Sequence, residues 1–188
     1  MSNQSRAPDR APRFTSFFEA TYGDLLRFAQ RRVHSDHAED VVAESFLVAW
    51  RRLDDLPRGR DDARAWLFGI ARGVILNVHR GAERQRALAV RLADVGTGSM
   101  AGIDADLVAR QIDVSRAWQQ LSDVHQEALA LAVLDGLGAP QAAAVLGISP
   151  VAFRLRLSRA RRALRQHLDH LPQSSSAPGD IRERTSSS

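Results

Sequence analysis

Twelve residues of this 188-residue chain, Arg154 to Arg165, contain six arginines. Guanidinium groups at that density call for an oxyanion partner, because arginine's planar fork donates two parallel hydrogen bonds to a phosphate or to the edge of a guanine. At about 100° per residue, Arg154, Ser158, Arg161, Arg162 and Arg165 gather on one side of a helix, while Phe153, Leu157, Ala160, Leu164, Leu168 and Leu171 form an apolar stripe on another. A helix with one stripe buried and the opposite side lined with arginine is suited to reading DNA. Its start is well marked: Ser149 can accept a hydrogen bond from the first-turn amides, and Pro150 occupies a position whose N–H would be unpaired anyway. Gly147-Ile148-Ser149 forms a three-residue turn after the short apolar run from Ala139 to Leu146, which is the spacing of a helix-turn-helix.

Two further constellations could do chemistry. Asp36, Asp40 and Glu44 form an i, i+4, i+8 acidic ladder opposite Val42, Phe46, Ala49 and Leu53. The ladder is either a solvated helix face that favours the helix dipole or a docking surface for a basic partner. Trp66, Gly73, Asn77, Arg80 and Arg84 follow seven-, four- and three-residue steps along a second helix edge. Such an edge suits nucleic acid, with arginines on phosphates and an aromatic plane or amide on bases, unless Trp66 belongs to the core. Enzyme chemistry finds little support. His34 with His37, and His167 with His170, have i, i+3 spacing but lack a third ligand, and no phosphate-cradling glycine loop or nucleophile elbow occurs. No metal, no cofactor and no catalytic residue are expected.

The elements that must position these groups are helices. Residues 1–13 are polar, contain proline and read as a disordered lead-in. Phe14, Phe18, Tyr22, Leu25, Leu26, Ala29 and Val33 then recur at helical steps and are expected to supply core. Ser35 or Asp36 caps a second helix running to about Leu53, residues 54–61 form a loop, and a third helix spans about 62–88 with Ala63, Leu67, Ile70, Ala71, Val74 and Val78 inward. A glycine- and acid-rich stretch at 91–112 reads as a linker. Beyond it, Ser122 caps a helix to Leu134 that ends at Asp135-Gly136-Leu137-Gly138, and Pro140 opens the short helix before the turn. Residues 172–188 are too rich in serine and proline to bury a core. The expected fold is all-α: two small helical domains, 14–90 and 113–171, joined by a flexible linker, the second a helix-turn-helix domain.

Composition excludes several classes. The net charge is +4, and all 26 basic residues are arginine, which fits codon bias in a GC-rich genome as well as phosphate binding. Cysteine is absent, so disulfides and thiolate metal sites are ruled out. No apolar run approaches the roughly 18 residues of a membrane span, and the amino terminus lacks a signal-peptide core. A cytoplasmic protein without membrane contact is expected.

Three segments carry a resemblance to the extracytoplasmic-function (ECF) class of bacterial RNA polymerase sigma factors. Asp36-His37-Ala38-Glu39-Asp40-Val41-Val42-Ala43-Glu44-Ser45-Phe46-Leu47-Val48-Ala49-Trp50 looks like that family's polymerase-binding helix. Ala65-Trp66-Leu67-Phe68-Gly69-Ile70-Ala71-Arg72 is similar to the segment leading into its −10 reader, and Leu137 through Arg161 to its −35 reader. The resemblance implies that Asp36, Glu39, Asp40 and Glu44 dock on the clamp helices of core RNA polymerase, with the flap as a further contact. It implies that the loop from Leu56 to Asp61, including Arg60, meets the melted −10 strand together with Trp66, Asn77, Arg80 and Arg84. It also implies that Ser149, Arg154, Leu155, Arg156, Ser158 and Arg161 meet the −35 duplex, and that an anti-sigma factor is a possible partner. Gly73 departs from the family's asparagine, and Ala152-Phe153-Arg154-Leu155 from its T-V-K-S. Val151 and Leu155 then either touch thymine methyls or pack on the preceding helix. A stand-alone helix-turn-helix regulator of duplex DNA is the alternative reading.

Overall fold

The computed structural model describes residues 7–89 and 113–169. The expected linker and the carboxy-terminal tail lie outside the described residues. Among those described, regular structure is helical throughout: α1 Ala7–Gln30, α2 Ser35–Arg51, a 3-10 turn Leu53–Asp55, α3 Arg60–Ala89, α4 at 113–119, α5 Asp123–Leu129 with a π turn Ala130–Leu134, α6 Ala139–Leu146 and α7 Pro150–Asp169. No described helix is long and apolar enough to cross a membrane.

Helix α1 starts at Ala7, inside the stretch expected to lack structure. Its first turns have something to hold. The Arg10 guanidinium donates to the Trp50 carbonyl at 2.8 Å and to Asp54 at 3.1 Å, and Arg13 donates to the Leu56 carbonyl at 3.0 Å. Arg10 thereby ties the first turns of α1 to the end of α2, and Arg13 ties them to the residue that closes the 3-10 turn. The inward face of α1 also differs from expectation. Phe17, Leu25, Phe28 and Ala29 are buried, while Phe18 and Tyr22 remain exposed. The helix carries two apolar stripes, and the one chosen for burial is the one that meets α3: Phe28 stacks on Phe68 with centroids 4.4 Å apart.

Boundaries shift by the same local physics. His34, not Ser35 or Asp36, is the N-cap of α2, and it caps through its carbonyl, which accepts from His37 N–H at 2.9 Å. Leu53 is buried as expected, but from the 3-10 turn. Arg60 and Asp61 open α3 instead of closing the loop. On α3, Ala63, Leu67 and Ala71 are buried as expected, joined by Ala65, Phe68 and Ile75, whereas Val78 is exposed. Ser122 makes no side-chain cap; its carbonyl accepts from His125 and Gln126.

The helix-turn-helix forms as its signals predict. Gly147 takes φ +66°, the left-handed conformation that closes a helix, and the N–H groups of Gly147 and Ile148 return to the carbonyls of Ala144 and Ala143. Ser149 Oγ accepts from Ala152 N–H at 3.1 Å, so Ser149→Ala is expected to cost about 1 kcal/mol of stability in thermal unfolding. The two units share one core: Leu25, Phe28, Leu67 and Phe68 belong to the same buried cluster as Leu131, Leu137, Ala142, Val145 and Phe153. Helix α6 packs on α3, and α7 packs on α5 and α6.

Candidate nucleic-acid and protein interfaces

Three surfaces follow from this packing. On α7, Arg154, Ser158 and Arg161 join Leu157 and Arg165 around a groove of about 320 Å3. Phe153 and Ala160 are wholly buried beneath, which fixes the rotation of the helix and turns the arginines outward. Arg156 does not join them: two residues beyond Arg154 it lies about 200° around the helix, and it is half-buried. Leu155 is 52% exposed and Val151 66% exposed, so packing against α6 does not account for either. Ser149 is engaged as the cap at the foot of the same helix.

The second surface is on α2. Asp36, Glu39, Asp40 and Glu44 are all exposed, with His34 Nδ1 3.3 Å from Asp36. Beside them runs an apolar groove of about 540 Å3, lined by Phe14, Phe18, Tyr22, Phe46, Leu47 and Trp50, and Glu39 stands where ladder and groove meet. Phe18 lies 4.6 Å from Phe46, so the exposed aromatics of α1 are held from below. This groove was not foreseen. The signal for it is Phe14, Phe18 and Tyr22 at four-residue steps, a pattern that a core-facing stripe shares.

The third surface is the α3 edge, and its residues are divided. Trp66 is half-buried, with its ring centroid 6.2 Å from that of Phe17 and the Arg52 guanidinium 5.9 Å above it. It faces a cleft of about 590 Å3 shared with Gly69, Arg72, Gln141, Val145 and Gly147. Arg60 opens instead on a separate pocket of about 280 Å3, with Thr21, Asp24 and Arg64. Asn77 and Arg80 are exposed about three and four turns beyond Trp66, joined by a 3.0 Å hydrogen bond from the guanidinium to the amide oxygen. The side chain of Arg84 lies outside the described residues. At Gly73 an added Cβ would meet nothing within 4 Å, so glycine leaves an open notch on this edge.

One charged cluster lies between the units, and the sequence reading missed it. The Asp135 carboxylate accepts from Arg31 and, at 2.6 Å, from Arg32. Its backbone carbonyl accepts from Arg64 at 2.8 Å. Arg72 forms a two-pronged pair with Glu127 at 2.7 and 3.2 Å, and Gln141 donates to Asp62 at 3.0 Å. These partners lie 55 to 104 residues apart. Among the described residues, no group of three His, Asp or Glu side chains could hold a metal ion.

Comparison with known proteins places these surfaces in context. Residues 17–85 match the family model of Sigma-70 region 2, and residues 111–164 that of Sigma-70, region 4. The RNA polymerase sigma factor CnrH of Cupriavidus metallidurans is 33% identical over 162 residues, covering 80% of this chain and 84% of that one. The ECF RNA polymerase sigma factor SigC of Mycobacterium tuberculosis is 35% identical over 155 residues, covering 79% and 80%. Among solved structures, the sigma factor RpoE in complex with the anti-sigma factor NepR from Bartonella quintana superposes with a TM-score of 0.62 at 25% identity, covering 85% of this chain and 98% of that one. CnrH in complex with the cytosolic domain of CnrY gives a TM-score of 0.56 at 26% identity, covering 83% and 87%.

Proposed function

The chain belongs to the ECF class of RNA polymerase sigma factors, and from that membership we propose which of its surfaces carries each part of promoter-directed initiation. The observation that carries the proposal is that an exposed acidic ladder and an exposed arginine face stand on different units of one molecule, on α2 and on α7. A duplex-only regulator has no use for the first.

In this reading Asp36, Glu39, Asp40 and Glu44 steer α2 onto a basic helical surface of core polymerase, and the apolar groove beside Glu39 takes up that partner's apolar side chains. Opposite charge accelerates and orients the encounter, and apolar burial then holds it. Trp66, Asn77, Arg80 and Arg84 meet the −10 strand, with Arg60 on the neighbouring pocket. Arg154, Ser158 and Arg161 bind the −35 duplex across the major groove, and the α7 amino terminus at Ser149 adds a phosphate contact. Arg156, on the far side of α7, contributes to the field and not to base reading. The protein performs no bond chemistry; it lends specificity to the polymerase in the cytoplasm. An anti-sigma protein, such as the NepR bound to RpoE, is the partner that would hold it inactive.

Transcription by core polymerase on genomic DNA, with and without the protein, tests the class directly. Protein-dependent starts from a small set of promoters sharing −10 and −35 sequences are expected; transcription from none would favour the duplex-only regulator. Exposed Leu155 makes a finer prediction. If its side chain meets a thymine methyl, Leu155→Ser should relax preference at one −35 position by roughly fivefold to tenfold, about 1 kcal/mol. An unchanged profile in a randomised −35 library would rule that contact out.

A further inference from the structure

The inter-unit cluster is built asymmetrically. Its cations, Arg31, Arg32, Arg64 and Arg72, all come from the turn that follows α1 and from α3, and the groups they hold across the interface, Asp135 and Glu127, come from the second unit. Two of the arginines, Arg32 and Arg64, are also positioned by their own unit. Arg32 lies 3.6 Å above the Phe28 ring and donates to the Phe28 carbonyl at 3.1 Å. Arg64 lies 4.7 Å above Phe68 and is fastened to Asp24 at 2.6 Å. Guanidiniums stacked on a fixed aromatic pair keep their orientation when the opposing carboxylates leave.

Asp135 is the reverse. Its side chain is fully buried, presented by the π turn Ala130–Leu134 and by Gly136 at φ +65°, and it is held in place by the arginines across the interface. A buried ion pair contributes little net stability compared with an apolar contact, because desolvation offsets the attraction. What such a contact offers is reversibility of the charged part of the interface, since its ions are well solvated once the two units part; the apolar core they share opposes opening and keeps the open state a minor one.

We propose that Arg31, Arg32, Arg64 and Arg72 form a binding site for the phosphate backbone of a DNA strand, and that in the closed chain Asp135 and Glu127 occupy this site in place of phosphates. Arginine favours bidentate pairing with carboxylate and phosphate alike, so the two anions compete for one set of donors. Arg64 and Arg72 lie two turns apart on α3, about 12 Å along its axis, which is long enough to follow several phosphates of one strand. Arg72 and Trp66 border the same inter-unit cleft, and α6 covers that side of α3: a Cβ on Gly69 would lie 4.0 Å from Val145 Cα. The strand enters only when the units separate. The inference rests on the reading that α3 meets promoter DNA, and it adds that the chain masks this surface with its own second unit.

The test uses the full-length chain, a fluorescent 20-nucleotide single strand of mixed sequence, anisotropy over a range of salt, and small-angle scattering for the separation of the units. Asp135→Asn with Glu127→Gln keeps shape and removes both competing charges. It is expected to expand the molecule and tighten DNA binding by about tenfold or more, because the apparent affinity scales with the open fraction, which rises. Arg31→Gln with Arg32→Gln also weakens the latch, yet is expected to lower affinity about tenfold and to make the logarithmic salt dependence shallower by about 1.4, the share of two phosphate contacts on a single strand. A latch with no DNA role would shift both variants in the same direction, and that result overturns the proposal. If the Asp135 variant fails to fold, half-buried Glu127→Gln against Arg72→Gln decides: about threefold tighter and about threefold weaker binding support the proposal, and equal effects refute it. The probe needs no polymerase, so the result stands independently of the transcription assay.

Discussion

Changing Asp40 and Glu44 together to arginine is expected to lower affinity for core RNA polymerase by about 100-fold or more, with helix content and thermal midpoint unchanged. Both carboxylates are exposed, and neither belongs to an ion pair among the described residues, so reversal breaks nothing inside the protein. Arginine propagates a helix about as well as glutamate, and the less favourable position of a cation near the amino-terminal half of α2 costs a few tenths of a kcal/mol. Against a basic partner the effect is large, since each attractive pair becomes a repulsive one; close interfacial charge pairs couple by about 1.5 kcal/mol or more. Competition against a labelled sigma factor for core polymerase measures the loss, with circular dichroism as the control. The deficit should shrink as salt rises, because the ladder is open to solvent. Retained affinity at low salt would mean that α2 docks elsewhere and that the acidic face is only solvated surface.

Phe68→Ala should damage the fold itself. Phe68 is completely buried, stacks on Phe28 and lies beneath the Arg64 guanidinium. Truncating such a ring removes transfer free energy and leaves a cavity, together about 3–5 kcal/mol. For a chain of this size that amounts to a fall of roughly 10 °C in thermal midpoint. The buried cluster runs through both units, so the second unit should loosen with the first and the two should melt in one lowered transition. Separate transitions, with α7 unaffected, would show that the units are thermodynamically independent. Tyr22→Ala is the contrasting control: it lines the apolar groove, is 38% exposed, and should cost well under half as much.

Where the amino-acid order acts over three or four residues, it suffices. Ser149, Pro150 and Gly147 mark the helix-turn-helix because a cap, a missing N–H and a left-handed turn are satisfied within one turn of backbone. Val42, Phe46 and Ala49 are buried as read, since α2 has a single apolar face set against its acidic one. The same reasoning failed on α1. With phenylalanine at 14, 17, 18 and 28, that helix has two apolar stripes, and periodicity cannot say which one α3 will cover. The stripe left outside became a groove.

By itself, then, the sequence determined the all-helical class, the helix-turn-helix, the acidic face of α2 and the arginine face of α7, each written in residues one to eight apart. Packing alone puts Phe28 and not Tyr22 in the core, and packing alone brings Asp135, which follows the π turn, to two arginines more than 100 residues away. The physical reason is one of range. Caps and periodicity are settled by neighbours along the chain, whereas a buried charge is settled by whichever opposite charge packing brings to it.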